Sequence, residues 1–247
     1  MIQIKDVEAD IVDTCNFNCK DCSHMSPFFK RSTYTIGEFE KDIEALSKVL
    51  HTFQFTILGG EPLLVGVHLP RYTYAIRQAK LADCIRLITN GSLLHRQSKF
   101  LKEFDTIVVS IYPTEKSKKV EEWIAANPHP NIFIWKVNEF GEFYTPNLLS
   151  DEETKKSWDG CFAKDNCNTV YKGNYYRCIG CAKYPYPYPS EGVDLHAPDL
   201  EARLKAYIEN DKPLLTCSHC YGGRKKHEWT ESLSVPRDIY NHEQSSS

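Results

Sequence analysis

"DTCNFNCKDCSH", residues 13–24, places cysteines at positions 15, 19 and 22, in the spacing Cys-x3-Cys-x2-Cys. The next cysteine in the chain is Cys84. A structural zinc site closes with four protein ligands, and an ordinary electron-transfer iron–sulfur cluster also takes four cysteines. Three thiolates on a four-iron cluster would leave one iron free to bind another molecule. His24 as a fourth zinc ligand is the alternative, although Cys-x3-Cys-x2-Cys-x-His is not a usual zinc spacing.

The composition is that of a soluble globular chain without a strong electrostatic field. The 247 residues are 41% hydrophobic and carry a net charge of −3, enough for a main domain with a small appendage. No nucleic-acid partner and no membrane partner are expected, and the run Arg224-Lys225-Lys226 is interpreted as solvated surface. Neither a signal peptide nor a membrane span is recognisable, so we predict a cytoplasmic protein, with its thiols reduced.

The cysteine count indicates metal binding. Ten cysteines in a reducing compartment favour metal ligation over disulfides. Nine of them lie in two regions, 15–22 and 161–220, and only Cys84 stands apart. We interpret Cys84 as a small buried hydrophobic side chain.

The first half of the chain alternates between strand-like and helix-like segments. Strands are predicted at 8–13, 53–58, 85–89, 106–112 and 131–137, and helices at 35–50, 71–82, 95–104 and 118–127. Such repeats imply an α/β fold with a parallel sheet and right-handed crossovers. Chemistry in such folds gathers at the carboxyl ends of the strands. The cysteine loop and Gly59-Gly60-Glu61 both follow strands. They are therefore predicted to lie together at the end of the sheet where the strands finish, here called the mouth.

The pattern changes after about residue 145. Residues 167–181 resemble a hairpin that turns at Lys172-Gly173-Asn174, and 199–209 form an amphipathic helix. The segment 184–192, "YPYPYPSEG", is too rich in proline for a central strand or helix and is predicted to be an extended connector. The last residues are expected to be frayed.

On these motifs the sequence resembles the radical S-adenosylmethionine (SAM) superfamily. The resemblance rests on "CNFNCKDC" (15–22) after the first strand and "GGEP" (59–62) after the second, and it covers about residues 7–137. "TNG" (89–91) and "VSIY" (109–112) support it. One position departs from the family: the residue before the third cysteine is often aromatic, and here it is Asp21.

The resemblance implies a partial (β/α)6 TIM-type barrel and a set of site residues. Cys15, Cys19 and Cys22 would hold a [4Fe-4S] cluster whose open iron binds SAM. The other residues implied are Gly59 and Gly60 close to the methionine part of SAM, Glu61 on its ammonium, Asn90 and Ser110 on the ribose, and Phe17 in the adenine pocket. The family cleaves SAM reductively to a 5′-deoxyadenosyl radical, which abstracts hydrogen from a substrate. An electron donor such as flavodoxin or ferredoxin is therefore an expected partner.

The second group of cysteines resembles the "twitch" domain, a shortened SPASM domain that carries one auxiliary iron–sulfur cluster. The ligands implied by this resemblance are Cys161, Cys178, Cys217 and Cys220, and Cys167 could replace Cys161. A zinc ribbon made by the two Cys-x2-Cys pairs is the alternative, but the gap between the pairs exceeds the common spacing. Cys181 is either a spare thiol or a catalytic hydrogen-atom donor to a substrate radical.

These inferences predict a domain organisation and a function. We expect a radical SAM core at 1–145, a hairpin-plus-helix auxiliary cluster domain at 146–235 and a disordered tail at 236–247. The predicted enzyme is an oxidoreductase that dehydrogenates or epimerises a small sugar or cyclitol. A peptide-modifying radical SAM enzyme is the first alternative, although such enzymes usually carry a leader-binding domain and this barrel begins within ten residues. A non-catalytic zinc-binding module is the second.

Overall fold

The structure, a computed structural model, describes residues 1–29, 32–184 and 189–232. Its first half alternates parallel strands with helices. The strands are β1 (Ile2–Asp10), β2 (Leu50–Leu58), β3 (Ala82–Thr89), β4 (Thr106–Ile111) and β5 (Ile132–Lys136). The helices between them are α1 (Ile36–Ser47), α2 (Leu69–Gln78), α3 (Leu94–Gln97) and α4 (Glu115–Ala126).

The second half has shorter elements. In chain order they are β6 (Glu139–Tyr144), α5 (Asp151–Asp159), α6 (Ala163–Asn166), β7 (Thr169–Tyr171), β8 (Asn174–Tyr176), α7 (Ile179–Lys183), β9 (Val193–Asp194), α8 (Leu200–Glu209) and β10 (Cys220–Glu228). Short 3-10 turns occur at Ser26–Phe28, Pro62–His68, Ser98–Glu103 and Leu215–His219. Within the described ranges, the strands form an eight-stranded sheet of order β5-β4-β3-β2-β1-β7-β8-β9 and a two-stranded sheet of β10 and β6.

The sheet confirms the predicted α/β class and shows how the two halves are joined. Strands β1 to β5 pair in parallel with their sequence neighbours. The other edge of β1 is taken by β7 of the predicted hairpin, which pairs with it in parallel at Glu8↔Thr169 and Ala9↔Val170. A sixth parallel strand is therefore supplied from the C-terminal half. Local periodicity could not reveal this pairing, because the two strands are far apart in the chain.

Two predicted elements differ clearly from the observed ones: the first strand, predicted at 8–13, is observed at Ile2–Asp10, and one helix is split. The segment 95–104 was predicted to be a single helix, but α3 ends at Gln97 and continues as a 3-10 turn to Glu103. The capping box at the start of α1 is present: Thr35 Oγ1 accepts from the Glu38 amide at 3.3 Å. Part of the predicted connector 184–192 and the whole predicted tail 236–247 lie outside the described residues.

The two faces of the parallel sheet have opposite character. One face carries Val7, Phe55 and Leu87, each fully buried in the hydrophobic core that includes Phe39 and Ile43 of α1. Side chains alternate along a strand, so the intervening residues face the other way. These are Asp6, Glu8 and Asp10 on β1, Gln54 and Thr56 on β2, and Arg86 on β3. The face turned away from the helices is therefore polar.

No helix in the described portion of the chain combines the length and the apolar character needed to cross a membrane.

Candidate active site

The three-cysteine loop follows β1 and is enclosed by aromatic rings. Cys15, Cys19 and Cys22 belong to one cluster of packed side chains with Phe17 and Trp229. Tyr112 and Phe140 pack against the same cluster. Burial raises the pKa of the Cys19 thiol to about 12, so a nearby cation is needed to hold it as a thiolate. Within the described ranges, no three His, Cys, Asp or Glu side chains are spaced to hold a single metal ion.

The Gly-Gly-Glu turn lies directly against the start of the cysteine loop. This confirms the prediction that the two segments meet at the carboxyl ends of the strands. The Gly60 amide donates to Val12 O at 2.8 Å, and the Glu61 amide donates to Thr14 O at 3.0 Å. A Cβ atom on Gly59 would overlap Val12 O, and one on Gly60 would overlap Thr14 O. The glycines therefore allow two backbone segments to meet, which is a different reason from the predicted approach to SAM. Their role toward SAM stays a prediction.

Gly60→Ala is expected to destabilise the protein by about 3 kcal/mol, because the new methyl group overlaps backbone that cannot rotate away. The matched control is Gly37→Ala in α1, where an added Cβ has no atom within 4 Å and stability should change by less than about 1 kcal/mol. Urea unfolding of both variants measures the difference. Equal stability of the two variants would show that the turn is not tightly held against the loop.

Glu61 is an internal anchor in this structure. Its side chain is fully buried, and Oε1 accepts from the Leu63 amide at 3.0 Å and from Thr89 Oγ1 at 2.6 Å. Oε2 accepts from the Asn90 amide at 2.8 Å. Burial raises the pKa of the Glu61 carboxyl to about 7. The carboxylate thus ties the ends of β2 and β3 together, and its predicted contact with the SAM ammonium would have to use the remaining lone pair on Oε2.

Asn90 and Ser110 lie at the same end of the sheet and have partners within the chain. Asn90 Nδ2 donates to Asn16 Oδ1 at 2.9 Å and to Cys15 Sγ at 3.5 Å. Ser110 is buried on β4, two residues before Tyr112. The structure therefore gives Asn90 a role in orienting the cysteine loop, while the predicted ribose contacts of both residues stay predictions.

Phe17 forms part of an aromatic group at the mouth. Its ring centroid lies 5.6 Å from that of Tyr112, and the Lys116 ammonium lies 5.4 Å from the Phe17 centroid. On the other side, Tyr112 stacks on Trp229 at 5.4 Å. Aromatic surface is thus present beside the loop even though Asp21 occupies the position before Cys22. An adenine pocket that uses Phe17 stays a prediction.

The second group of cysteines surrounds a separate cavity. Its lining includes all four predicted ligands, Cys161, Cys178, Cys217 and Cys220. The Gly222 amide donates to Cys220 Sγ at 3.3 Å. Amide-to-sulfur hydrogen bonds are among the interactions that tune iron–sulfur clusters. The fold therefore brings together side chains from α5's C-terminal end, the hairpin and the terminal Cys-x2-Cys.

Cys181 and Cys167 differ in their position relative to the second cavity. Cys181 Sγ lies 3.5 Å from Cys178 Sγ and 3.4 Å from Thr216 Oγ1, on the lining of the second cavity. Cys181 therefore lies beside the predicted auxiliary ligands, and its catalytic role as hydrogen-atom donor stays a prediction. Cys167, unlike Cys161, does not line the cavity, which favours Cys161 as the ligand.

Two buried donors show that both sites fit a sulfur-rich, anionic group. Within the described ranges, Trp229 Nε1 and Arg177 Nε have no acceptor at full hydrogen-bond geometry. Trp229 packs against Cys19, and Arg177 lines the second cavity next to Cys178. Unpaired buried donors are costly, so an acceptor at each place would be stabilising. Thiolates and sulfides of bound clusters would provide such acceptors.

A buried ionic cluster connects the C-terminal half to the end of β1. Lys183 Nζ, on a fully buried side chain, lies 2.6 Å from Asp10 Oδ2 and 2.8 Å from Asp13 Oδ1. His24 Nδ1 lies 2.9 Å from Asp10 Oδ1, and Lys172 Nζ lies 3.0 Å from Asp13 Oδ2. Burial alone would raise the pKa of Asp10, but the positive charges of His24 and Lys183 outweigh it and lower that pKa. The two carboxylates are therefore ionised and neutralised internally.

Below this ionic cluster, the polar face of the sheet continues in register. Asp6 Oδ2 accepts from Arg86 Nη2 and from Gln54 Nε2, both at 2.7 Å. Glu8 Oε1 accepts from Thr169 Oγ1 at 3.1 Å, across the β1–β7 pairing. Lys136 and Glu139 lie at the surface, where they pair with Glu121 and Lys226. They are solvated edge residues, because the polar face is carried mainly by β1 to β3.

Glu8 should make stability depend on pH. Burial raises its pKa to about 7 from an ordinary 4.5, so the folded protein holds a proton that the unfolded chain releases. The Glu8 contribution to stability is then fully present below pH 4.5 and is lost as pH rises through about 7. Glu8→Gln cannot titrate, so the variant should lack this fall in the free energy of unfolding, which amounts to at most about 3 kcal/mol in the wild type. The measurement compares melting temperatures of the variant and wild type from pH 5 to pH 8; parallel curves would contradict it.

Several residues that shape the site carry no recognisable signal in the sequence. Trp229 is far from the cysteine loop in the chain, and nothing in its surroundings marks it as part of the mouth. Lys183 follows the pair Cys178-x2-Cys181 without a recognisable motif. A polar residue in a short helix is ordinarily solvated, so only the tertiary structure identifies Lys183 as buried.

Comparisons with known proteins agree with this geometry. A family model described as "4Fe-4S single cluster domain" matches residues 9–130. The fold is similar to that of BtrN in complex with AdoMet and 2-DOIA, with a TM-score of 0.54, 13% identity, and coverage of 88% of this chain and 92% of that chain. It is also similar to native anSMEcpe with bound AdoMet, with a TM-score of 0.54, 15% identity, and coverage of 83% and 84%. The search of curated protein sequences finds no match.

Proposed function

We propose that this chain is a radical SAM enzyme, with a [4Fe-4S] cluster and SAM as its cofactors, and that it dehydrogenates a small polyhydroxylated molecule; the 4Fe-4S family match and the fold similarity support this proposal. The observation that carries this proposal is the polar face of the sheet. Asp6, Gln54 and Arg86 bond to one another there, and Glu8 and Asp10 continue the row toward the mouth. A TIM-type interior is usually filled with branched apolar side chains. Hydroxyl groups would find donors and acceptors here.

The proposed cofactor ligands follow from the placement of the cysteines. Cys15, Cys19 and Cys22 would hold the SAM-binding cluster, and Cys161, Cys178, Cys217 and Cys220 would hold an auxiliary iron–sulfur cluster. When bound, these groups would supply the one-electron cleavage of SAM and an acceptor for the second electron of a dehydrogenation. The overall change removes one hydrogen atom, one proton and one electron from a substrate carbinol and leaves a ketone. A small one-electron carrier such as flavodoxin or ferredoxin is the proposed donor.

Dehydrogenation is favoured over epimerisation by the position of Cys181. An epimerase needs a hydrogen-atom donor that faces the substrate radical, whereas Cys181 contacts Cys178 and Thr216 in the second cavity. The chain's own residues would act by binding and by excluding water. Asp10 and Lys183 are held immobile by their mutual ion pair, which makes the polar side chains at this end of β1 rigid.

The test is anaerobic incubation with SAM, a strong reductant and a panel of carbon-deuterated sugars and cyclitols. The expected result is deuterium in 5′-deoxyadenosine and a ketone product from one of them. The same reactions in deuterated water distinguish epimerisation, which would introduce solvent deuterium at carbon. Deuterium transfer only from a peptide substrate would instead establish peptide modification, the alternative function. The variant lacking Cys15, Cys19 and Cys22 is the control for SAM cleavage that does not depend on the enzyme.

A further inference from the structure

The segment Trp229–Ser232, here called the strap, follows β10 and runs along the outer side of the cysteine loop. The Lys20 amide donates to Thr230 O at 3.0 Å, and the Ser232 amide donates to Asn18 O at 2.6 Å. Cys19 and Glu231 form an antiparallel bridge between these hydrogen bonds. Asn18 Nδ2 also donates to Ser232 O at 2.7 Å. The strap is thus a short added strand on the loop that carries Cys19.

Trp229 begins the strap and is held firmly in place. Its amide donates to Asn138 O at 2.8 Å, and its indole ring stacks on Tyr112 with an interplanar angle of 29°. Only 8% of its surface is exposed, and it packs directly with Cys19 and Phe17. Backbone hydrogen bonding, stacking and burial together restrict the indole to one orientation.

Within the described part of the chain the indole N–H has no acceptor at full hydrogen-bond geometry, although it lies close enough to the Cys19 thiol for its hydrogen bonding to favour the thiolate and offset part of the rise in the thiol pKa. Buried tryptophan N–H groups ordinarily have a hydrogen-bond partner, and leaving one without a partner costs free energy. The sulfur of Cys19, which packs with the indole, is placed to accept this hydrogen bond. A neutral thiol is a weak acceptor, whereas a thiolate is a strong one. The buried donor therefore fits Cys19 as a thiolate ligand of the proposed cluster.

We propose that Trp229 is a positioning and tuning residue, whose indole N–H hydrogen-bonds the Cys19 thiolate and raises the reduction potential of the cluster held by the loop. The inference rests on the proposed function in that Cys15, Cys19 and Cys22 hold that cluster. Reduction adds negative charge near the sulfur, so a donor aimed at it stabilises the reduced form more than the oxidised form. The strap would thus link the C-terminal strand to the electron-accepting property of the first site.

The test uses Trp229→Phe, which keeps an aromatic ring and removes the N–H group. A second variant places benzothienylalanine at position 229, which keeps the bicyclic shape and replaces N–H by sulfur. The matched control is Trp135→Phe on edge strand β5, where the side chain is 59% exposed. The measurement is an EPR-monitored redox titration of the holoenzyme, following the signal that changes on addition of SAM.

Both variants at position 229 should lower the reduced-to-oxidised ratio at a fixed potential about tenfold, which is 59 mV for a one-electron couple. Their iron content should match that of wild type, and Trp135→Phe should titrate as wild type does. An unchanged midpoint in the benzothienylalanine protein with full iron content would overturn the proposal and leave Trp229 with a packing role. Absence of a SAM-sensitive signal in wild type would instead refute the proposed function, so the two failures are distinguishable.

Discussion

Replacement of Cys15, Cys19 and Cys22 together with Ala is expected to abolish SAM cleavage and to remove one of two clusters. The three thiols lie in one packed group at the end of β1, and no other described cysteine belongs to that group. If the second cavity holds a four-iron cluster as proposed, iron content should fall from about eight per chain to about four. The measurements are 5′-deoxyadenosine formation and iron analysis of anaerobically purified protein.

Cys84→Ala is the matched control for this loss. Cys84 lies outside both cysteine groups, half-buried rather than buried as predicted, with its Sγ 3.4 Å from Phe53 O. Its removal should leave iron content and SAM cleavage unchanged. A triple variant that still forms 5′-deoxyadenosine would contradict the assignment of the loop. A wild type with about four irons would instead remove the auxiliary iron–sulfur cluster from the proposal and leave zinc as the candidate for the second cavity.

Lys183→Met should be the most destabilising single substitution outside the cysteines, with an expected cost of about 3 to 5 kcal/mol near pH 7. Methionine nearly matches lysine in length and shape, so the main change is loss of the ammonium group. Asp10 and Asp13 would then be two buried carboxylates without the buried cation that lies within 2.8 Å of both. Denaturant unfolding or melting temperature measures the cost.

The destabilisation caused by Lys183→Met should decrease as the pH falls. In the wild type, the positive charges around Asp10 and Asp13 outweigh burial and lower both pKa values, so their contribution to stability is present above the ordinary pKa of 3.8 and is lost as pH falls through the folded-state values. In Lys183→Met the carboxyls can be protonated more easily. The difference from wild type should therefore be largest near neutral pH and should shrink toward pH 4.

Two comparisons isolate the role of the buried charge. Lys172→Met removes a half-exposed ammonium from the same Asp13 and should cost less, about 1 kcal/mol, because solvent screens that pair. Adding Asp10→Asn to Lys183→Met should recover part of the lost stability, since the uncompensated charge is then removed. Equal costs for the two lysine variants would show that burial does not govern this cluster.

The local parts of the fold could be predicted from the sequence because they depend on neighbouring residues. The predicted strand at 53–58 lies within β2, and the predicted helix at 199–209 matches α8 to within one residue. Alternating strands and helices have few compatible arrangements, so their order sufficed to place the cysteine loop beside Gly59-Gly60-Glu61. The sequence could not tell whether Cys161 or Cys167 belongs with the other predicted ligands of the second group. Only the structure distinguishes them, because Cys161 lines the cavity and Cys167 does not.

The sequence by itself determined the α/β class, the three-cysteine loop and the turn that meets it, and it left Cys161 and Cys167 as alternatives in the second cysteine group. Only the tertiary structure decided that β7 joins β1, that Lys183 neutralises Asp10 across 173 positions and that Trp229 covers Cys19. Spacing and periodicity report interactions between near neighbours, whereas a buried charge or an orphaned N–H group acquires its meaning from side chains that folding brings from elsewhere. Glu61 shows the same limit within a recognised motif, because its carboxylate is committed to Leu63, Thr89 and Asn90.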